Sequence, residues 1–225
     1  MPKFPFEIVG FDLDGTLLDT HADLGHALNH ALGLIGRDPL PLRQVRGLIG
    51  GGGRKMMERA LDLTGGAPNI PPDALYAQLI AYYEAHIATH TSLFPGGEAM
   101  LAGLEAQGVR LAVVTNKLEH LARRLLDELG LSPRLYTILG GDTLGPGHAK
   151  PAPDLLLEMV ARGGLSAHGR AAYVGDSSFD TGAARAAHLP CVAVSFGFSD
   201  RPVAELGADA VIDHFDELIP ALERL

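Results

Sequence analysis

The amino-acid sequence predicts an α/β fold: a doubly wound parallel sheet with a four-helix cap inserted into it. Two patterns carry that prediction. Short β-branched apolar runs alternate with amphipathic helical stretches over most of the chain, and one early interval of helix patterns breaks the alternation. Strand–helix alternation packs as a mostly parallel sheet covered by helices on both faces. With 225 residues, 47% of them hydrophobic, the chain can build a sizeable core in one or two domains.

In chain order, the first strand candidate is EIVGFDL, residues 7–13. From about His21 to Thr91 no stretch reads as a strand. ADLGHALNHALGLI (22–35) sets Leu24, Ala27, Leu28, Ala31 and Leu32 at helical spacing. RKMMERALDL (54–63) and PPDALYAQLIAYYEAHI (71–87) follow, the second opening on prolines that suit a first helical turn. Residues 19–92 are therefore expected to form a helical insertion, and residues 1–18 with 93–225 the core. LFPGGEAMLAGLEAQG (93–108) reads as a hinge return into a core helix. Beyond it come the strand VRLAVVT (109–115) and the helix EHLARRLLDELG (119–130), with Leu121, Leu125, Leu126 and Leu129 on one face. LYTILGG (135–141), AAYVGD (171–176), CVAVSF (191–196) and DAVID (209–213) complete the strands, with glycines or prolines at the joins. An insertion after the first strand sits above the carboxyl ends of the sheet, where open α/β sheets bind ligands.

Composition narrows the function. Lys and Arg number 18 against 27 Asp and Glu, a net charge of −9. That balance argues against broad nucleic-acid binding, which needs basic surface to neutralise phosphates. Cys191 is the single cysteine, so no intrachain disulfide forms and the cytoplasm is the expected compartment. No secretory h-region opens the chain, and no apolar run reaches the roughly 20 residues of a membrane span. There is no fixed-period repeat.

Four stretches place chemistry at expected strand ends or in the loop beside them. Asp12 and Asp14 close the first strand, Thr115 and Asn116 the second, Lys150 lies in HAKPAPD before a helix, and Asp176 and Asp180 fall in YVGDSSFD. Parallel strands bring such ends to one edge. Several carboxylates around one point repel unless a cation sits among them, and hard oxygen ligands suit Mg²⁺. Lys150, the Thr115 hydroxyl and the N–H groups of the turn after Asp12 add donors for an anion, the equipment for holding a phosphoryl group. A carboxylate also serves as a nucleophile, so one of the paired aspartates attacks while the other moves protons. Taken singly, a D-x-D is a turn feature, a lone lysine a solvated one, and Asp176 or Asp180 a helix cap. The chain has only four lysines, however, and four such pieces in order are hard to obtain by chance.

On these residues the sequence resembles the haloacid dehalogenase-like superfamily, and in particular its phosphoglycolate phosphatase branch, over nearly the whole chain. The resemblance implies a Rossmann-like core with a helical cap that opens and closes. It makes Asp12 of DLDGT the nucleophile and Asp14 the acid/base. Thr115 and Lys150 match the second and third motifs; in GDSSFD, Asp176 is a magnesium ligand and Asp180 a supporting carboxylate. The expected metal set is Asp12, Asp14, Asp176 and Asp180. RGLIGGGGRKMMERAL (46–61) resembles the branch's substrate-selecting loop. Gly50, Gly52 and Arg54 are expected to touch substrate, with Asn116 from the core. Glycines permit close backbone approach, and a helix N-terminus followed by Arg favours an anion. The implied partner is a small phosphorylated metabolite, 2-phosphoglycolate first, acted on by a monomer or homodimer. Ala149 and Leu118 stand where the branch often has a basic residue and a proline.

The alternatives are a sugar-phosphate phosphatase or a phosphomutase of the beta-phosphoglucomutase type. The mutase type carries a catalytic histidine where this chain has Leu24, although His21 lies nearby. A dehalogenase does not use the second aspartate, which is present here as Asp14; a phosphonatase needs a cap lysine, and Lys55 is the only one. A non-enzymatic binding module fits least, because every catalytic position is filled. His26/His30 and His86/His90 are i, i+4 pairs without an evident third ligand for zinc, and Tyr76, Tyr82 and Tyr83 read as packing residues.

Overall fold

A computed structural model describes residues 4–66, 70–165 and 169–225. Lys3 and the first residues of the expected 1–18 core segment lie outside it. Strand β1 (Ile8–Phe11) is followed by the short β2 (Leu18–Asp19) and by helices α1 (His21–Leu34), α2 (Leu42–Arg46), α3 (Gly53–Leu63) and α4 (Pro72–Ala85). The chain returns through β3 (Ser92–Leu93) to α5 (Gly97–Ala106), β4 (Arg110–Val114), α6 (Glu119–Glu128) and β5 (Leu135–Leu139). It ends with α7 (Asp154–Gly163), β6 (Ala171–Gly175), α8 (Ser178–Ala186), β7 (Cys191–Val194), β8 (Ala210–Ile212) and α9 (Leu218–Glu223).

Among the described residues, six strands form one parallel sheet in the order β5-β4-β1-β6-β7-β8. This is the expected α/β architecture, and all six strand candidates are found. β1 lies at the switch point, with β4 on one side and β6 on the other, so the crevice that binds ligands in such sheets opens above its carboxyl end. Side chains alternate across the sheet, which sends Ile8 and Val9 to opposite faces. Ile8, Ala112, Val114 and Tyr173 pack beneath Leu155 and Met159 of α7 and Ala183 of α8. Val9, Phe11, Val113 and Val174 share the other layer with Leu101, Leu125 and Leu222 of α5, α6 and α9. That layer runs on into the inserted helices through Leu28, Leu79 and Tyr83. Fully burying each such side chain stabilises the fold by about 1.5–3 kcal/mol before chain entropy is counted.

Two features of the insertion were not legible. β2 and β3 pair antiparallel, Leu18 with Leu93 and Asp19 with Ser92, as a two-stranded ribbon where the chain leaves the core and returns. Two-residue strands show no period. Beside the ribbon, buried Asp23 accepts hydrogen bonds from the His90 and Thr91 backbone N–H groups and from Thr91 Oγ1, at 2.8–3.1 Å. It ties the start of α1 to the returning chain. No helix among the described residues is long and apolar enough to cross a membrane.

Candidate active site

Strand register sets the floor of the site. Phe11 lies opposite Val113 and Val174, so the residues that follow all three strands, Asp12, Thr115 and Asp176, lie within about a residue of one level. The ladder extends past β1 itself: Asp12 N–H donates to Val174 O at 2.9 Å, and Thr115 N–H to Leu139 O at 2.9 Å.

Lys150 ties the acidic residues together. Its Nζ donates to Asp12 Oδ1 at 2.8 Å and Asp180 Oδ1 at 2.7 Å, and contacts Val114 O at 3.0 Å and Tyr173 Oη at 2.8 Å. A lysine with this many acceptors is fixed and charged. Burial alone lowers its pKa, but Asp12 and Asp180 outweigh that and hold it above the ordinary value. Asp180 doubles as a helix cap. Its Oδ2 accepts from Ser177 N–H at 3.0 Å and Ser177 Oγ at 2.5 Å, closing a capping box on α8. The capping and functional readings of Asp180 are thus compatible.

Carboxylate oxygens of Asp12, Asp176 and Asp180 lie within 4.8 Å of one another, all three residues buried. Burial raises the Asp12 carboxyl to about 6, against the pull of Lys150 and with a push from Asp180. Burial, then Asp180 and Asp12, push Asp176 well above the usual range. Three hard oxygen donors with one lysine among them lack counter-charge, the donor set that fits Mg²⁺. Asp14, expected in that set, is not part of this cluster. Both of its oxygens face Lys117 Nζ, at 2.9 and 3.0 Å.

Above the floor, a cavity of about 40 Å³ is lined by Asp12, Asp14, Thr115, Asn116 and Lys117, and by Gly50, Gly52, Met56, Tyr76 and Tyr83 of the insertion. Thr115 Oγ1 accepts from Lys117 N–H at 3.2 Å, which leaves its own proton to donate. Asn116 Nδ2 donates to Gly50 O and Lys150 O, joining the two parts of the molecule, while its buried Oδ1 has no partner among the described residues. Gly52, at φ 88°, closes the gap: a Cβ there would stand 3.1 Å from Asn116 O.

Of the residues expected to touch substrate, Arg54 is the one that the structure does not bring to the cavity wall. It pairs with Asp73 at 2.6 Å and lies 4.7 Å from the centre of the Tyr76 ring, with both charged side chains half-exposed or more. Two residues were missed. Lys117 follows Thr115–Asn116 directly, and its position in the TNK run was the available signal. Tyr83 read as packing, yet its hydroxyl is buried without a partner among the described residues, and its ring face lies 4.5 Å from Lys117 Nζ. Burial pushes that hydroxyl up to about 12. Leu24 lines the cavity, whereas His21 bonds Asp19 at 2.5 Å and is not part of its wall.

A family model described as "Haloacid dehalogenase-like hydrolase" matches residues 9–194. A protein of Agrobacterium fabrum named phosphoglycolate phosphatase is 40% identical over 222 residues, covering 98% of this chain and 93% of the relative. One of the same name from Caulobacter vibrioides is 42% identical over 210 residues, covering 92% and 86%. A crystal structure described as a predicted phosphoglycolate phosphatase from Haemophilus somnus superposes with a TM-score of 0.88 at 29% identity, covering 96% of this chain and 97% of that one.

Proposed function

The chain belongs to the haloacid dehalogenase-like hydrolase family and is a phosphoric monoester hydrolase, and we propose that it cleaves 2-phosphoglycolate to glycolate and phosphate through an aspartyl-phosphate. One observation carries the reading: Lys150 joins Asp12 and Asp180 beside Asp176, directly below a cavity roofed by the inserted helices.

Asp12 gives one carboxylate oxygen to Lys150 and turns toward the cavity. Its attack on phosphorus breaks the bond to the leaving oxygen, and Asp14 supplies that oxygen with a proton. Asp14 then takes a proton from the water that attacks the aspartyl-phosphate, which releases phosphate and restores Asp12. The Thr115 hydroxyl and Lys150 stabilise the phosphoryl oxygens. Asp12, Asp176 and Asp180 would hold Mg²⁺, which when bound neutralises charge on the phosphoryl group and the carboxylates. Residues 19–92 act as the cap.

Lys117 selects the substrate. It is the one cationic side chain among the described residues lining the cavity, and it is held there by Asp14. A substrate carboxylate draws Lys117 away from Asp14 and leaves Asp14 free to face the leaving oxygen. The phosphoglycolate phosphatases named above support this choice of substrate. Leu24 in the cavity wall, in place of an acid/base side chain, favours hydrolysis over the mutase alternative. The test is a panel of phosphate monoesters with Mg²⁺. 2-Phosphoglycolate should give the highest kcat/KM, and a preference for an uncharged or sugar leaving group would replace this reading with the sugar-phosphate one.

A further inference from the structure

The two histidine pairs recognised by spacing do not act as pairs; the fold takes one member from each. His26 of α1 and His90 of the returning chain meet with ring centroids 5.2 Å apart. Ligand atoms of Asp23, His26 and His90 all lie within 4.8 Å of one another. We propose that these three residues form a second metal site, of the class that takes Zn²⁺, where α1 meets the returning chain, built from residues other than the Asp12 cluster.

Three features support it. Asp23 is held as an oriented ligand: Thr91 N–H and Oγ1 occupy Oδ2 at 2.9 and 2.8 Å, while Oδ1 receives only the longer half of a shared His90 N–H bond, at 3.1 Å. Oδ1 therefore keeps a lone pair to give, and the fixed Oδ2 supplies the outer-shell support such ligands need. Neither His26 nor His90 makes a ring-nitrogen hydrogen bond to another described residue, so coordination displaces no partner among them. Both rings are exposed, which gives an ion a path in and leaves room for water as a fourth ligand. Two imidazoles with one carboxylate suit Zn²⁺ or Co²⁺ and disfavour Mg²⁺, which keeps oxygen ligands. A bound ion would clamp α1 to the segment that leads into β3, across the two chain crossings between core and insertion.

The test is calorimetric titration of the purified protein with Zn²⁺ in millimolar Mg²⁺. His26→Ala, His90→Ala and His30→Ala are compared with wild type. All three histidines are exposed, and His30 serves as control because it is not one of the three clustered residues and stacks on Tyr82 instead, 4.5 Å between centroids. Wild type and His30→Ala should each bind one equivalent with equal affinity, and His26→Ala and His90→Ala should bind it at least about tenfold more weakly. No such equivalent in wild type would overturn the proposal. So would an equivalent that survives in both His26→Ala and His90→Ala, since it would lie outside the three residues, or an equal loss in His30→Ala.

Discussion

Lys117 Nζ stands 2.9 Å from one oxygen of Asp14 and 3.0 Å from the other, and Tyr83 lies across it with its ring centre 4.5 Å away. Burial lowers the Lys117 pKa, but Asp14 and Tyr83 more than offset this and hold it above its ordinary value. The ammonium therefore stays charged beside Asp14, the proposed proton donor. Lys117→Met should reduce kcat/KM on 2-phosphoglycolate by about ten- to a hundredfold, the scale of one charge-assisted contact. Ethyl phosphate, which has no carboxylate, should lose much less. Equal losses on both substrates would make Lys117 a support for Asp14 alone.

Asp14→Asn keeps the side-chain shape and removes the proton. An alkyl phosphate should slow by about 10²–10⁴-fold. A nitrophenyl phosphate, whose leaving group needs no proton, should slow less. A common drop on both substrates would mean that another group is the acid.

Arg54 forms an exposed pair with Asp73, and exposed pairs contribute about 0–1 kcal/mol. Arg54→Ala should change kcat/KM on 2-phosphoglycolate by less than about fivefold. A ten- to hundredfold loss would restore the role expected from the sequence.

The acidic cluster predicts a pH signature. Asp12 titrates near 6 in the fold, above its ordinary value of 3.8, because of burial and its acidic neighbours. Its folded form thus holds a proton that the unfolded chain has already lost. The associated stability is fully present below about 3.8 and is lost as pH rises through about 6. With chelator present, this contribution should make Tm fall across that interval, and Asp176 acts in the same direction. Mg²⁺ needs the ionised form, so its stabilising effect should grow over the same interval. A Mg²⁺ effect on Tm that does not change between pH 4.5 and 7 would contradict the assignment of Asp12 to the metal.

The fold was legible because the strands are short apolar runs buried on both faces and the helices keep their period. Ile8, Val9 and Phe11 are all buried within one strand, and Leu24, Leu28 and Leu32 repeat along α1 as a helix requires. The floor of the site was legible for a geometric reason: in a parallel sheet, residues just past the strands come to one edge whatever their separation in sequence, so Asp12, Thr115 and Asp176 could be placed without coordinates. The cavity wall was legible only in part: Gly50, Gly52 and Asn116 line it as expected, but its cationic group was not foreseen. Whether Arg54 or Lys117 points inward depends on side-chain pairing, and an Asp73 partner 19 residues away or an Asp14 partner 103 residues away leaves no period to read. The same holds for Asp23, His26 and His90, which meet only because the insertion returns beside its own beginning.

The central claim, that phosphorus passes through Asp12, is tested most directly by trapping. The enzyme is acid-quenched during turnover of ³²P-labelled 2-phosphoglycolate, and ³²P retained on the protein reports a phosphoenzyme; a parallel sample is reduced with tritiated borohydride, which expels the phosphate and converts an aspartyl phosphate into tritium-labelled homoserine, and that peptide is read by mass spectrometry. The account predicts homoserine at residue 12 in wild type and none in Asp12→Asn. Turnover with no phosphoprotein, or label at Asp14, Asp176 or Asp180 instead, would contradict it.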